Sequence, residues 1–376
     1  MGGKSIPLGR IFGIAFCINP SWLIIFIVVT WTLVAGYYSS IYPDWPLAAK
    51  LSAGVITSLL FFASVLAHEL MHCFMALCRG VKVKSITLFI FGGVAEIATE
   101  PKKASDEFVM AVAGPLTSLA LGAALMGLWF VLRGFDGLGG CIGVGAYWLG
   151  WINLSLGIYN MVPGFPLDGG RVLRSILWGR SGDLHRATRI ASIVGRIVAY
   201  GLIIVGVLYI AFTGDWFSGV WFALIGWFLA GAAESSYKYV QINELLAEYK
   251  VSDAMRYDCI IISPDIDVDC LIREYAGSHG QQCFVVMRGD RLEGVLAFDS
   301  MRTLVRNARN KQTVAELMTP VERLQCVNPD DDLARVLNIM REEGLTQVPV
   351  IQDGRIAGVV DIERLQLFIN MQTVRK

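Results

Sequence analysis

Six stretches of this chain are too long and too apolar to be anything but helices in a lipid bilayer. They fall near residues 20–37, 51–77, 107–132, 141–162, 190–212 and 217–236. Lipid offers no partner to a peptide N–H or C=O, so each span must satisfy its own, and about 20 helical residues cross the hydrocarbon. Composition agrees: the chain is 55% hydrophobic and only 17% charged. Soluble domains carry about a quarter charged residues. The segment before the first span holds Lys4 and Arg10, but the apolar run Trp22–Gly36 shows no small-residue cleavage site and reads as a retained span. With the N-terminus inside, the inner loops collect Lys4, Arg79, Lys84, Lys103, Arg171 and Arg186, while the outer loops hold little beyond Lys50 and Arg133. That asymmetry places the N-terminus and the C-terminal region in the cytoplasm. The formal net charge of zero gives no basic excess, so no nucleic-acid partner is expected. Eight scattered cysteines without a Cys-x-x-Cys pair argue against a disulfide framework.

Inside the second span lies Ala67-His68-Glu69-Leu70-Met71-His72. At about 100° per residue, positions i and i+4 sit about 40° apart on one helix face. Two imidazoles so placed can share one zinc ion, with Glu69 beside them to act on a water. Ionisable groups at membrane depth default to function.

Two irregular segments flank this motif. Ile86–Phe91 and Gly92–Ile97 are β-prone and too short to span, so a hairpin is predicted around Gly92-Gly93, lining a protein or water-filled cavity. The fourth span ends in Asn160-Met161-Val162-Pro163-Gly164-Phe165-Pro166-Leu167-Asp168-Gly169-Gly170, where prolines and glycines break the helix near the inner surface. A third metal ligand is needed. Asp168 has the right depth and is predicted to stand on a tight turn. Glu96, Asp106, Glu107 and His185 compete, although Asp106 and Glu107 suit a helix N-terminus and His185 lies in an Arg-rich loop.

After about residue 240 charges become regular and apolar runs shorten. Two halves align at a period of about 63 residues. Gln282-Cys283-Phe284-Val285-Val286 parallels Gln347-Val348-Pro349-Val350-Ile351, and Gly289–Leu296 parallels Asp353–Val360. Each copy reads as a leading strand, a helix, a strand, a turn, a strand and a helix.

The motif at His68–His72, the Gly92-Gly93 hairpin, Ala113-Gly114-Pro115 and Asn160–Gly170 together resemble the site-2 protease family of intramembrane zinc metalloproteases, over about residues 8–236. The tail resembles a tandem CBS pair. The fold class implied is a polytopic α-helical membrane domain with about six spans and a short membrane-associated β-hairpin, followed by an α/β CBS pair. The expected bounds are 1–240, 241–311 and 312–376. The resemblance implies one zinc per chain on His68, His72 and Asp168, with Glu69 as catalytic base. It places Asn160 on the substrate or oxyanion side. The exposed hairpin edge at Gly92, Gly93 and Val94 is expected to hold an extended substrate by β-augmentation. Its implied substrate is a single-span membrane protein, cut in or near the bilayer of a prokaryotic cell. CBS pairs bind adenine nucleotides between their copies and associate into dimers. The ribose-contacting pattern, Gly-x-x-Thr/Ser-x-x-Asp, is imperfect in both copies here, with Asp299 and Asp361 as the nearest carboxylates. Two rival readings are a CBS-gated ion transporter or channel, and a catalytically silent protein that binds metal and holds membrane clients.

Overall fold

The computed structural model describes residues 6–11, 13–81, 83–90, 92–97, 101–257, 260–267, 270–271, 284–289, 291–296, 313–320, 325–343, 345–352 and 355–375. The chain forms two compact units, Met1–Lys238 and Tyr239–Lys376.

Among the described residues six helices are long and apolar enough to cross a membrane: α1 Trp22–Ile41, α2 Leu47–Cys78, α3 Ala104–Leu132, α4 Leu138–Asn160, α6 Leu184–Thr213 and α7 Trp216–Ala247. They match the six apolar stretches. A shorter amphipathic helix, α5 (Asp168–Ser181), was not expected; it stands where the sequence reads as a basic inner loop. The last span also runs further than hydropathy suggests, carrying helix through Tyr237–Ala247.

Lipid tails do not drive helices together as water does, so close packing and hydrogen bonds must. Small residues let α3 and α4 approach. A Cβ at Gly150 would stand 2.9 Å from Met126 Cγ, and one at Gly122 would stand 2.8 Å from Leu154 Cγ. Hydroxyls bind α1 to α2, with Thr30 Oγ1 donating to Ser58 Oγ at 2.9 Å and Tyr38 Oη meeting Thr57 Oγ1 at 2.8 Å.

The predicted hairpin is present as β3 (Val83–Phe89) and β4 (Gly92–Ile97). Gly92, at a φ of 122° that favours glycine, opens β4. Two further strands precede it, β1 (Ile6–Ile11) and β2 (Ile14–Ile18), in the order β1-β2-β3-β4. Strand β2 pairs parallel to β3, with Ala15 opposite Ser85; the other pairs are antiparallel. Among the described residues β4 is an edge strand.

The second unit exchanges strands between its two copies. In the first copy, β5 (Ile260–Ile262), β6 (Phe284–Arg288) and β7 (Arg291–Leu296) are joined by β8 (Thr319–Pro320), which the second copy supplies. In return Arg256, ahead of the first copy, pairs with Val359 of β10 (Arg355–Asp361), which lies antiparallel to β9 (Gln347–Gln352). Gly294 and Gly358 hold equivalent places in the two copies. A Cβ on Gly294 would lie 2.5 Å from the Thr319 carbonyl, and one on Gly358 would collide with the Arg256 carbonyl. The core gathers Leu246, Val251, Leu333, Val336, Val348 and Val360.

Replacing Gly150 by valine should destabilise the membrane unit by about 1–3 kcal/mol through overpacking against α3. Gly127→Ala, on the same α3 but facing open space, should shift stability by less than about 0.5 kcal/mol. Thermal unfolding in detergent would compare the two; equal midpoints would contradict the packing described.

Candidate metal centre

Helix α2 carries His68 and His72 one turn apart, and both are buried, at 3% and 4% exposure. Asp168 comes from a distant part of the chain. The helix break behind it packs onto α6, where Phe165 N–H donates to the Ala191 carbonyl at 3.3 Å. Leu167 N–H then closes a turn on the Gly164 carbonyl at 3.1 Å. Asp168 is therefore the first residue of α5 rather than a residue of an isolated turn, and helix N-termini favour a carboxylate there.

Three atoms converge. His68 Nε2 and His72 Nε2 each lie 3.1 Å from Asp168 Oδ2, and 3.1 Å from each other. The protonation of His72 follows from its other nitrogen. Nδ1 faces the Met110 carbonyl at 2.7 Å, and a carbonyl only accepts, so Nδ1–H donates. In the neutral ring Nε2 is then a bare lone pair. With His68 likewise protonated on Nδ1, beside Ser118 Oγ, lone pairs from two imidazoles and a carboxylate converge on one point, the arrangement that binds a cation. Their spacing is close to the about 3.3 Å between ligands of a tetrahedral zinc. The residues fit that metal. Among the described residues no other group of three or more His, Cys, Asp or Glu side chains is placed this way.

Glu69 projects from the same helix against the start of β4. A Cβ on Gly93 would stand 2.5 Å from Glu69 Cγ and 3.1 Å from Cδ. The hairpin thus lies directly on this carboxylate.

The remaining sequence candidates lie elsewhere. Asp106 receives a 2.8 Å bond from Arg79, and His185 is exposed. Glu107 is fully buried and accepts from Arg174 Nε at 2.7 Å and from the same guanidinium's terminal nitrogen. Arg174 also lies over the Phe165 ring, 5.3 Å from its centre. Asn160 ends α4. Of the hairpin candidates, Gly93 faces Glu69, Gly92 pairs with Phe89, and Val94 pairs with Thr87 through the β3–β4 register. In the tail, Asp361 caps the helix that follows it, accepting Arg364 N–H at 2.6 Å, and pairs with Arg256 at 3.1 Å. Asp299 and the side chain of Glu96 lie outside the described residues. Sequence reading missed Ser118, Arg174 and the Met110 carbonyl. Their partners sit 38 to 67 residues away, and no local pattern marks them.

Such a site within six apolar helices defines a membrane-embedded metallohydrolase. Comparisons narrow the class. The family described as Peptidase family M50 matches residues 56–143 and 140–205, and the CBS domain matches residues 314–369. Putative zinc metalloprotease sll0528 of Synechocystis sp. is 36% identical over 96% of this chain and 95% of its own length. Putative zinc metalloprotease Rip3 of Mycobacterium tuberculosis is 34% identical over 96% and 94%. The solved site-2 protease from Methanocaldococcus jannaschii is 29% identical, with a TM-score of 0.42 over 62% of this chain and 95% of that one. The chain belongs to the site-2 protease family of zinc metalloproteases, peptidase family M50, in a form that carries a CBS domain. It is a multi-pass integral membrane protein.

The Glu107–Arg174 pair ties α5 to α3. Arg174→Ala should cost about 3–5 kcal/mol, because it leaves a buried carboxylate without its partner. The double variant Glu107→Leu/Arg174→Met should recover much of that loss. Stability measured in detergent would check this, and a double variant no better than Arg174→Ala would contradict it.

Proposed function

We propose that the chain hydrolyses peptide bonds of single-span membrane proteins, with His68, His72 and Asp168 holding one zinc ion and Glu69 moving the proton. The convergence of three lone-pair donors at 3.1 Å carries this reading. Zinc bound there supplies Lewis acidity, polarising a carbonyl and making water a nucleophile near neutral pH. Glu69, one residue from the first histidine, takes a proton from the attacking water and returns it to the departing amide nitrogen. The new C–O bond forms first, and the C–N bond breaks once the nitrogen has received the proton. One carboxyl and one amine terminus result.

A helical substrate hides its carbonyl carbons behind its own hydrogen bonds, so it must unwind before attack. The edge of β4 supports a way to hold the unwound segment. Gly93 lies against Glu69, and among the described residues β4 has a strand neighbour on one side only, which suits an incoming strand. Asn160, ending α4 eight residues before Asp168, is assigned to the substrate side of the cleft. The basic inner loops support a cytoplasmic N-terminus and CBS pair in the cell membrane.

We assign the CBS pair a regulatory role, with an adenine nucleotide as its ligand and self-association as its mode of assembly. Asp299 and Asp361 are the carboxylates assigned to the ribose, and that of Asp361 also accepts Arg364 N–H and pairs with Arg256.

Purified protein should cleave a single-span reporter in detergent and retain about one zinc per chain. Glu69→Gln should retain zinc and lose at least about a hundredfold in kcat. His72→Ala and Asp168→Ala should lose the metal. A zinc-free wild type would sink the reading, and cleavage by Glu69→Gln at the wild-type rate would remove Glu69 from it. Val94→Pro should slow cleavage about tenfold with zinc intact, because proline removes one strand donor and restricts the edge. Zinc lost in parallel would indicate misfolding rather than a substrate strand.

A further inference from the structure

We propose that one face of α3 is the positioning frame of the metal site and acts on all three metal-facing side chains at once. This deepens the zinc reading above and depends on it. Glu107, Met110, Gly114 and Ser118 recur every three or four residues, so they share one side of the helix. Each acts differently. Ser118 Oγ, itself buried, lies 2.9 Å from His68 Nδ1. The Met110 carbonyl accepts Nδ1–H of His72 at 2.7 Å. Gly114 lies between them, and a Cβ there would stand 2.6 Å from His72 Cε1 and 2.7 Å from His68 Nε2. Glu107 holds Arg174, and through it the helix that begins with Asp168.

The chemistry gives this arrangement its effect. A neutral imidazole carries one proton, and an acceptor at Nδ1 draws it there, leaving Nε2 as the ligand. For His72 the acceptor is backbone and cannot be lost by substitution. For His68 it is a single hydroxyl. Without that hydroxyl the proton can move to Nε2 and bond Asp168 Oδ2, 3.1 Å away. Such a histidine–carboxylate bond uses the lone pairs that the metal needs. Ser118 is thus a positioning residue whose loss weakens zinc binding without loosening the helix. Gly114 is one of clearance. Any side chain there pushes the imidazoles off α3, whereas Gly127, further along the same helix, meets nothing within 4 Å.

The test uses the full-length protein in detergent and measures zinc affinity by competition with a chelator, beside the melting temperature of the zinc-free form. Ser118→Ala should bind zinc about ten- to a hundredfold more weakly while its zinc-free melt stays at the wild-type value. Ser118→Thr, which keeps the hydroxyl, should recover most of the affinity. Gly114→Ala should lose zinc retention, and Gly127→Ala should match wild type. Wild-type affinity in Ser118→Ala, or no advantage of threonine over alanine, would overturn the role of Ser118. So would a zinc-free melt that falls in step with affinity, since it would mean general loosening. Wild-type affinity in Gly114→Ala would remove the clearance argument. A wild type that binds no zinc would sink the underlying metal reading itself, whatever the variants do.

Discussion

Everything in the membrane unit answers to three polar atoms, two imidazole nitrogens and a carboxylate oxygen, held within 3.1 Å of one another. Like-signed lone pairs repel, and burial strengthens the repulsion because little water screens it. Keeping them together takes a rigid frame and a compensating cation. The frame is visible in the helices around the site. His68 and His72 share α2 and so hold a fixed relation to each other. Asp168 arrives on α5, and the buried Glu107–Arg174 pair fixes that helix against α3. A buried ion pair is weak evidence for stability, but here it joins two elements that must keep register for the site to exist.

Membrane depth explains the irregular backbone around the site. A broken helix at 161–167 and a four-stranded sheet would be untenable against lipid, where unpaired peptide groups cost several kcal/mol each. Both lie where they can be partnered. The break packs on α6 through Phe165, and β4 rests against Glu69 through Gly93. A strand edge can take an extended peptide, which a wall of closed helices cannot.

In the second unit, exchange of leading strands makes each copy incomplete alone. Thr319–Pro320 completes the first sheet, and Arg256 extends the second. Glycine at 294 and 358 is what lets the exchanged backbone approach. The internal repeat was legible because the copies keep their strand–turn–strand pattern. The exchange was not, since hydropathy carries no record of which sheet a two-residue strand joins.

Much of this protein was readable from residues in order. Spans follow from hydropathy because the bilayer leaves helices as the only open structure, and His68, Glu69 and His72 follow from one helical turn. Asp168 emerged as one of five candidates, favoured by depth and singled out by family resemblance. Strands β1 and β2 escaped notice because five or six residues with mixed patterning carry little signal beside a long span. The amphipathic α5 was hidden by its basic character. Local periodicity therefore determined the spans and the histidine pair. Only the tertiary structure decided the roles of Ser118, Met110, Gly114 and Arg174, because these depend on contacts between helices far apart in the chain, and a linear pattern does not encode which faces meet.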